Sequence, residues 1–181
     1  MKNKKAQTWG IDLMVAVTLF TFGIMLFFIY TLNSPGDTKE KFEYLYHNGK
    51  LVMDSLMSEG YPTNWETLVP LATADHNNIM KIGILNSSNK IDDKKLQAFW
   101  DLSDNSDGNG NYTFTKKVFN TRYEYRFFLE EDMNLDGDNN PATNPVIGKD
   151  VYSNAKNLVK ITRFTIYKNK PITAYLYIWE E

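Results

Sequence analysis

The residues whose spacing best suits a chemical role form an acidic loop in the last third of the chain. The oxygen-bearing side chains at its positions 1, 3, 5 and 7 are Asp132, Asn134, Asp136 and Asp138, and Gly137 stands at position 6. Calcium binds such hard oxygen ligands at about 2.3–2.6 Å, and glycine permits the turn that brings them together. The spacing therefore predicts a calcium site, and calcium is the one cofactor that the sequence suggests.

This loop differs from an EF-hand. Thr143 stands at position 12, where an EF-hand has a bidentate glutamate, and a predicted strand rather than a helix precedes the loop. A DxDxDG-type site outside the EF-hand class is the better comparison, with Glu130, Glu131 or Asn140 as further ligands. A solvated acidic turn without a metal explains the same residues, and the spacing leaves both interpretations open.

Other reactive side chains do not converge on a catalytic arrangement. His47 and His76 are the only histidines, neither has a serine or cysteine nucleophile nearby, and the chain has no cysteine. A hydrolytic triad needs a nucleophile, a base and a residue that orients the base. The sequence therefore predicts a protein that is not an enzyme.

Two sequons could carry glycans if the domain lies outside the cell. Asn86 begins Asn-Ser-Ser and Asn111 begins Asn-Tyr-Thr, both in or beside polar stretches. The motif has only two constraints and arises by chance in chains rich in asparagine. Asn86 and Asn111 are predicted as accessible glycosylation sites.

The charge balance argues against nucleic acid as a partner. The chain has 20 basic and 22 acidic residues, and removing Lys2, Lys4 and Lys5 leaves 17 basic residues against 22 acidic ones. This mildly acidic remainder shows no polybasic stripe. Because it also lacks cysteine, it must depend on its core, on metal ions or on assembly for stability.

Residues 13–32 form the longest apolar stretch, 20 residues without a charge. As a helix this stretch is about 30 Å long, the thickness of the hydrocarbon core of a bilayer. The basic residues before it favour a cytoplasmic N-terminus and export of the long remainder. Three interpretations are open: a secretory signal cleaved after the helix, an uncleaved signal anchor, or removal of the leader alone.

The third interpretation has support in the residues around the start of the helix, KKAQTWGIDLMVAV. This segment resembles the class III signal of archaeal type IV pilins and pilin-like proteins. The resemblance implies that a prepilin peptidase recognises Lys4, Lys5 and Ala6 and leaves Gln7 as the first mature residue. It also implies that Asp12, the sixth residue from Gln7, takes the place of the acid that many such proteins carry near the mature N-terminus.

Asp12 has two explanations. In a filament it would pair with the free α-amino group of a neighbouring subunit, because an unpaired carboxylate inside a helix bundle costs several kcal/mol. In the other explanation it lies in the first turn of the helix, where the positive end of the helix dipole favours an acid.

The rest of the chain predicts a helix packed on a sheet. Apolar positions three and four residues apart predict an amphipathic helix over residues 38–58: Phe42, Leu45, Gly49, Val52 and Leu56. Asp37 to Glu40 reads as a capping box for this helix, and Gly60 suits its C-terminal cap. Asn33-Ser34-Pro35-Gly36 separates it from the apolar helix.

Alternation predicts strands over residues 123–129, 157–168 and 172–179, the last two joined by a turn at Asn169-Lys170-Pro171. In the last strand one face carries Ile172, Ala174, Leu176 and Ile178, and the other carries Tyr175, Tyr177 and Trp179. A shorter strand is predicted over residues 80–85 and a helix over residues 91–102. Residues 112–119 fit a strand or a short helix, and the helix is preferred because Lys116-Lys117-Val118-Phe119 breaks the alternation. Trp65 is predicted as a buried anchor in an irregular region.

The sequence therefore predicts an α+β, pilin-like fold: a long N-terminal hydrophobic helix, an amphipathic helix, and a C-terminal antiparallel sheet of three or more strands. Its parts are a leader at 1–6, an assembly helix at 7–36 and an extracellular domain at 37–181. The resemblance implies a structural subunit of an archaeal type IV pilus-like surface filament, and exposed loops would give it a surface or adhesion role. Its partners would be other pilins, with the membrane and the prepilin peptidase before assembly. A monomeric membrane-anchored binding domain and a minor pseudopilin that primes assembly are the alternatives.

Overall fold

The structure is a computed structural model, and it describes residues 4–32, 36–69, 78–103, 111–131, 133, 135, 146–149 and 155–181. The chain divides into two compact units, the first ending at Glu40 and the second beginning at Lys41. The first unit contains helix α1, Lys4–Leu32, and the first residues of helix α2, Gly36–Leu56.

The second unit joins the rest of α2 to three short helical segments and four strands. The helical segments are a 3-10 turn at Trp65–Leu68, α3 at Asp93–Ser103 and α4 at Asn111–Val118. The strands are β1 at Glu124–Leu129, β2 at Ile147–Gly148, β3 at Lys156–Tyr167 and β4 at Lys170–Glu180. All pairings in the sheet are antiparallel, in the order β2-β1-β4-β3. The α+β fold with a C-terminal antiparallel sheet is thus confirmed.

Helix α2 covers one face of this sheet. A Cβ atom on Gly49 would lie 2.8 Å from Cγ2 of Ile178 and 3.2 Å from Cγ1 of Ile161, so the helix backbone approaches β3 and β4 closely. Leu45, Val52 and Leu56 are buried on the same side, as predicted. Phe42 was predicted on this buried side of α2 but is 47% exposed. Met53 was not predicted there, yet it is buried.

The sheet alternates as predicted, apart from one end of β4. Ile172, Ala174, Leu176 and Ile178 are buried against the core, and Tyr175 and Tyr177 lie on the opposite face, only partly exposed. Trp179 was predicted on that opposite face, yet it is fully buried. Trp179 lines a cavity together with Arg122 and Tyr123, the two residues just before β1. The segment that leads into β1 therefore lies beside Trp179.

Two local predictions were wrong. Residues 80–85 do not form a strand but make isolated bridges, Tyr61 with Lys81 and Leu85 with Ile91. The hairpin turn lies one residue earlier than predicted, because Tyr167 pairs with Lys170 across Lys168 and Asn169. These two turn residues have φ angles of 48° and 63°, the positive values of a two-residue type I′ turn.

Candidate functional site

Helix α1 is the candidate assembly element, and its described apolar side chains, in residues 9–32, are exposed. Residues Trp9–Leu32 form a stretch of 24 residues that contains an 18-residue window with a mean hydropathy of 2.4, and none of that window is buried. Phe20 is 70% exposed and Leu32 is 81% exposed. At 1.5 Å per residue the stretch is about 36 Å long, enough to cross a bilayer. This helix is therefore long and apolar enough to span a membrane or to serve as a signal sequence.

The threonines of α1 satisfy their own hydrogen-bonding groups. The hydroxyls of Thr18, Thr21 and Thr31 each donate to the carbonyl four residues earlier, on Met14, Val17 and Phe27, at 2.8 Å. Such bonds remove the need for water around a hydroxyl. These side chains can therefore enter lipid or a helix bundle without leaving an unpaired donor.

The residues that the pilin resemblance assigns to processing continue the same helix. Lys4, Lys5, Ala6 and Gln7 lie in the first turn of α1, and the structure does not describe their side chains. Asp12 is exposed and lies two turns further along.

The helix-dipole explanation of Asp12 is wrong for the full chain, because α1 begins at Lys4 and has no acidic residue in its first turn. The dipole acts mainly within that first turn. Removal of residues 1–6 would bring Asp12 close to the new helix N-terminus.

All four predicted calcium ligands, Asp132, Asn134, Asp136 and Asp138, lie outside the described residues. Two of their sequence neighbours are described, and both are buried: Met133 is 2% exposed and Leu135 is 9% exposed. Within the described parts of the chain, no three His, Cys, Asp or Glu residues group together as metal ligands. The calcium site stays a prediction.

The two sequons lie in different local structures. Asn86 is in a tight turn, where its Oδ1 accepts from the backbone N–H of Ser88 at 2.9 Å and of Lys90 at 3.1 Å. Asn111 is the first residue of α4, and the next residue of its sequon, Tyr112, is buried. Asn111 thus lies beside a polar stretch, at the start of a helix, and both glycosylation sites stay predictions.

A buried hydroxyl network, missed by the sequence reasoning, joins α3, α4 and β1. The Tyr125 hydroxyl lies 3.0 Å from Oγ of Ser103 and 2.5 Å from Oγ1 of Thr115. The Tyr112 hydroxyl donates to Oε2 of Glu124 at 2.9 Å. Burial raises the pKa of Tyr125 and of Tyr112 above the usual tyrosine range. Both phenols therefore stay protonated, which suits a structural role better than proton transfer.

A surface cavity of about 550 Å³ opens beside this network, between α2 and the chain that follows α4. Its lining includes Tyr44, Asn48, Lys117 and Arg122, with Lys116, which forms a salt bridge to Glu124. These groups do not provide a nucleophile with an adjacent base.

Comparison with protein families, with characterised proteins and with solved structures finds no match for this chain.

Proposed function

We propose that this chain is a structural subunit of a type IV pilus-like surface filament, assembled through α1 and possessing an exposed α+β domain. The observation that carries the proposal is the apolar stretch Trp9–Leu32, which no part of the described chain buries. In water such a surface is unfavourable, since apolar area costs about 25 cal/mol per Å². Lipid before assembly, and neighbouring helices after it, would remove that cost.

The sequence at the start of α1 supports this proposal over a simple anchor. A basic leader, Lys4 and Lys5, precedes Ala6 and Gln7, and the helix runs on through them without a break. Processing at Gln7 would free an α-amino group five positions from Asp12. In a bundle of such helices this amine is the natural partner for a carboxylate that would otherwise be desolvated alone.

The folded second unit supports separate roles for the two units. Its core is formed by residues from Leu45 onwards, including Leu45, Val52, Leu56 and the inner face of the sheet. The described core therefore does not draw on α1. This leaves α1 available for contacts with lipid or with other copies.

The test follows the full chain in cells with and without a prepilin peptidase. Material sheared from the cell surface is examined by electron microscopy for filaments that an antibody against the second unit decorates. We expect filaments only where the peptidase is present, because cleavage exposes the amine that Asp12 pairs with.

Variants of Asp12 make the test specific. Asp12→Asn should leave cleavage intact and reduce filament yield about tenfold or more, since burying an unpaired ammonium costs several kcal/mol. Asp12→Glu should restore part of the yield, and Glu43→Gln, at an exposed position of α2, serves as the charge-matched control. A chain that stays in the membrane as a monomer in both strains would identify an anchored domain instead.

A further inference from the structure

The outer face of the sheet, on the side away from α2, displays a regular pattern of rings and cations. Cross-strand pairing places Arg126 of β1, Tyr177 of β4 and Lys160 of β3 in one row. The next row has Phe128, Tyr175 and Thr162 on the same three strands. We call these six residues the outer platform.

The rings of the outer platform pack against each other and against the cations. The Phe128 ring centroid lies 5.1 Å from that of Tyr175 and 5.3 Å from that of Tyr177. Nζ of Lys160 lies 4.0 Å from the Tyr175 ring centroid, and Cζ of Arg126 lies 5.9 Å from that of Phe128. These ring–ring and cation–π contacts hold the side chains in place before any ligand arrives.

The outer platform stays open to solvent although it is apolar in part. Lys160 and Thr162 are exposed, and the rings of Phe128, Tyr175 and Tyr177 are partly exposed. Phe164, on the same face of β3 as Lys160, is 84% exposed. Exposed apolar groups placed together on one face of a domain mark a surface that binds something.

Charge defines the ligand further. Arg126 and Lys160 lie two strand spacings apart, about 10 Å at the backbone, with one tyrosine between them. Glu130, just after β1, is exposed, whereas the carboxylate of Glu124 is paired with Lys116. The surface therefore matches a few separated negative charges better than a dense row of them.

We propose that the outer platform binds an acidic polysaccharide, with sugar rings against the aromatic side chains and carboxylates or sulfates beside Lys160 and Arg126. The C–H groups of a pyranose ring carry a slight positive charge and pack on the electron-rich face of an aromatic ring. The hydroxyls of Thr162, Tyr175 and Tyr177 can exchange hydrogen bonds with those of a sugar.

A single-stranded nucleic acid also combines rings with negative charge, but it fits this surface less well. It has a phosphate at every nucleotide, whereas the chain beyond the leader has an excess of acidic residues and the exposed Glu130 follows Phe128 by two residues. A polysaccharide with one acid in each repeat avoids most of this repulsion.

The inference rests on the proposed function only in that an exported domain would meet such polymers outside the cell. The experiment uses the purified full chain in detergent micelles, where neither leader processing nor filament assembly is needed. A failure of binding and a failure of assembly are therefore separate results.

Binding is followed by the change in intrinsic fluorescence on titration with hyaluronate, a polymer with one carboxylate per disaccharide. We expect saturable binding that weakens with added salt, and binding of neutral dextran at least about tenfold weaker, because the charged contact is lost. Lys160→Glu should weaken hyaluronate binding by a similar factor. Lys94→Glu makes the same charge change at an exposed position of α3 and should leave binding unchanged.

A second pair of variants tests the rings. Tyr177→Ala should abolish most of the binding of hyaluronate, whereas Tyr177→Phe keeps the ring and should retain the binding. An unchanged unfolding midpoint of each variant shows that the fold persists. The proposal is overturned if hyaluronate does not bind saturably, if dextran binds equally well, or if Lys160→Glu has no effect. Tighter binding of an oligothymidylate than of hyaluronate would overturn it in favour of a nucleic-acid surface.

Discussion

Tyr125 shows how a single side chain ties several elements of the second unit together. Its ring is fully buried and stacks on Phe99 of α3, with ring centroids 6.2 Å apart. Its hydroxyl is within hydrogen-bonding distance of Ser103 on α3 and Thr115 on α4. Burial raises the pKa of this phenol, so the folded state holds a proton that the unfolded chain releases at high pH.

This proton predicts a loss of stability at alkaline pH. Above the ordinary tyrosine pKa of about 10 the unfolded state ionises and the folded state does not, so the free energy of unfolding falls by about 1.4 kcal/mol per pH unit for one such tyrosine. The full stabilisation is present below pH ~10 and is lost as the pH rises beyond it. Denaturant unfolding of the full chain in detergent at several pH values measures this slope.

The matched variants are Tyr125→Phe and Tyr61→Phe, the second at a side chain that is 60% exposed. Tyr125→Phe should lower stability at neutral pH, because Ser103 and Thr115 lose a partner, and should flatten the alkaline slope. Tyr61→Phe should change neither. If the free energy of unfolding fell equally with pH in the unaltered chain and in both variants, Tyr125 would have the same pKa in the folded and the unfolded state.

Single residues differ in how far the sequence predicts their environment. Trp65 was predicted as an anchor and is fully buried, with its Nε1–H donating to the Gly83 carbonyl at 2.9 Å. Lys95 was not predicted in the interior, because lysine is rarely buried. It is 5% exposed, and its Nζ donates to the carbonyls of Glu59 and Leu85 at 2.8 and 3.0 Å. Those two carbonyls come from separate loops, which sequence periodicity cannot bring together.

At the scale of elements, the contact between α2 and the sheet depends on a residue without a side chain. Gly49 lies where a Cβ atom would come within 2.8 Å of Ile178 and 3.2 Å of Ile161. Its neighbour Lys50 is exposed. A larger side chain at position 49 must push the helix away from the strands, whereas the same side chain at position 50 points to solvent.

Gly49→Leu should therefore destabilise the second unit by about 1–3 kcal/mol, the usual cost of overpacking a core. Lys50→Leu introduces the same side chain and should shift the unfolding midpoint little. Denaturant unfolding followed by tryptophan fluorescence compares the two, since Trp65 reports on the core beside α2. Equal effects of both substitutions would mean that α2 does not approach the sheet through Gly49.

Elements with a clear period were predictable, and those held by long-range contacts were not. Strands β3 and β4 alternate over eleven or twelve residues, so their pairing could be inferred from the sequence. Helix α4 was preferred over a strand because Lys116, Lys117, Val118 and Phe119 break the alternation, and the structure confirms that choice. Residues 80–85 contain alternating apolar residues too, but the N–H groups of Ile84 and Leu85 donate to the carbonyls of Leu56, at the end of α2, and of Ser58, just after it, rather than to a neighbouring strand.

At the scale of the whole molecule, the chain consists of two units that differ in how they bury apolar side chains. The second unit buries a hydrophobic core, whereas the apolar side chains of α1 over residues 9–32 are all exposed. Hydropathy alone predicted this division, because a 20-residue uncharged stretch needs no tertiary information to be recognised. The outer platform was not predicted, since it depends on which residues of three strands share a row.

The mature N-terminus of the chain recovered from the cell surface is the most direct test of this account. Intact-mass measurement of sheared surface material distinguishes the three fates of residues 1–32 in one experiment. We predict a chain that begins at Gln7, retains α1 and is found in filaments. A chain that still begins with Met1, or one that begins after Leu32 and is a soluble monomer, would contradict the account.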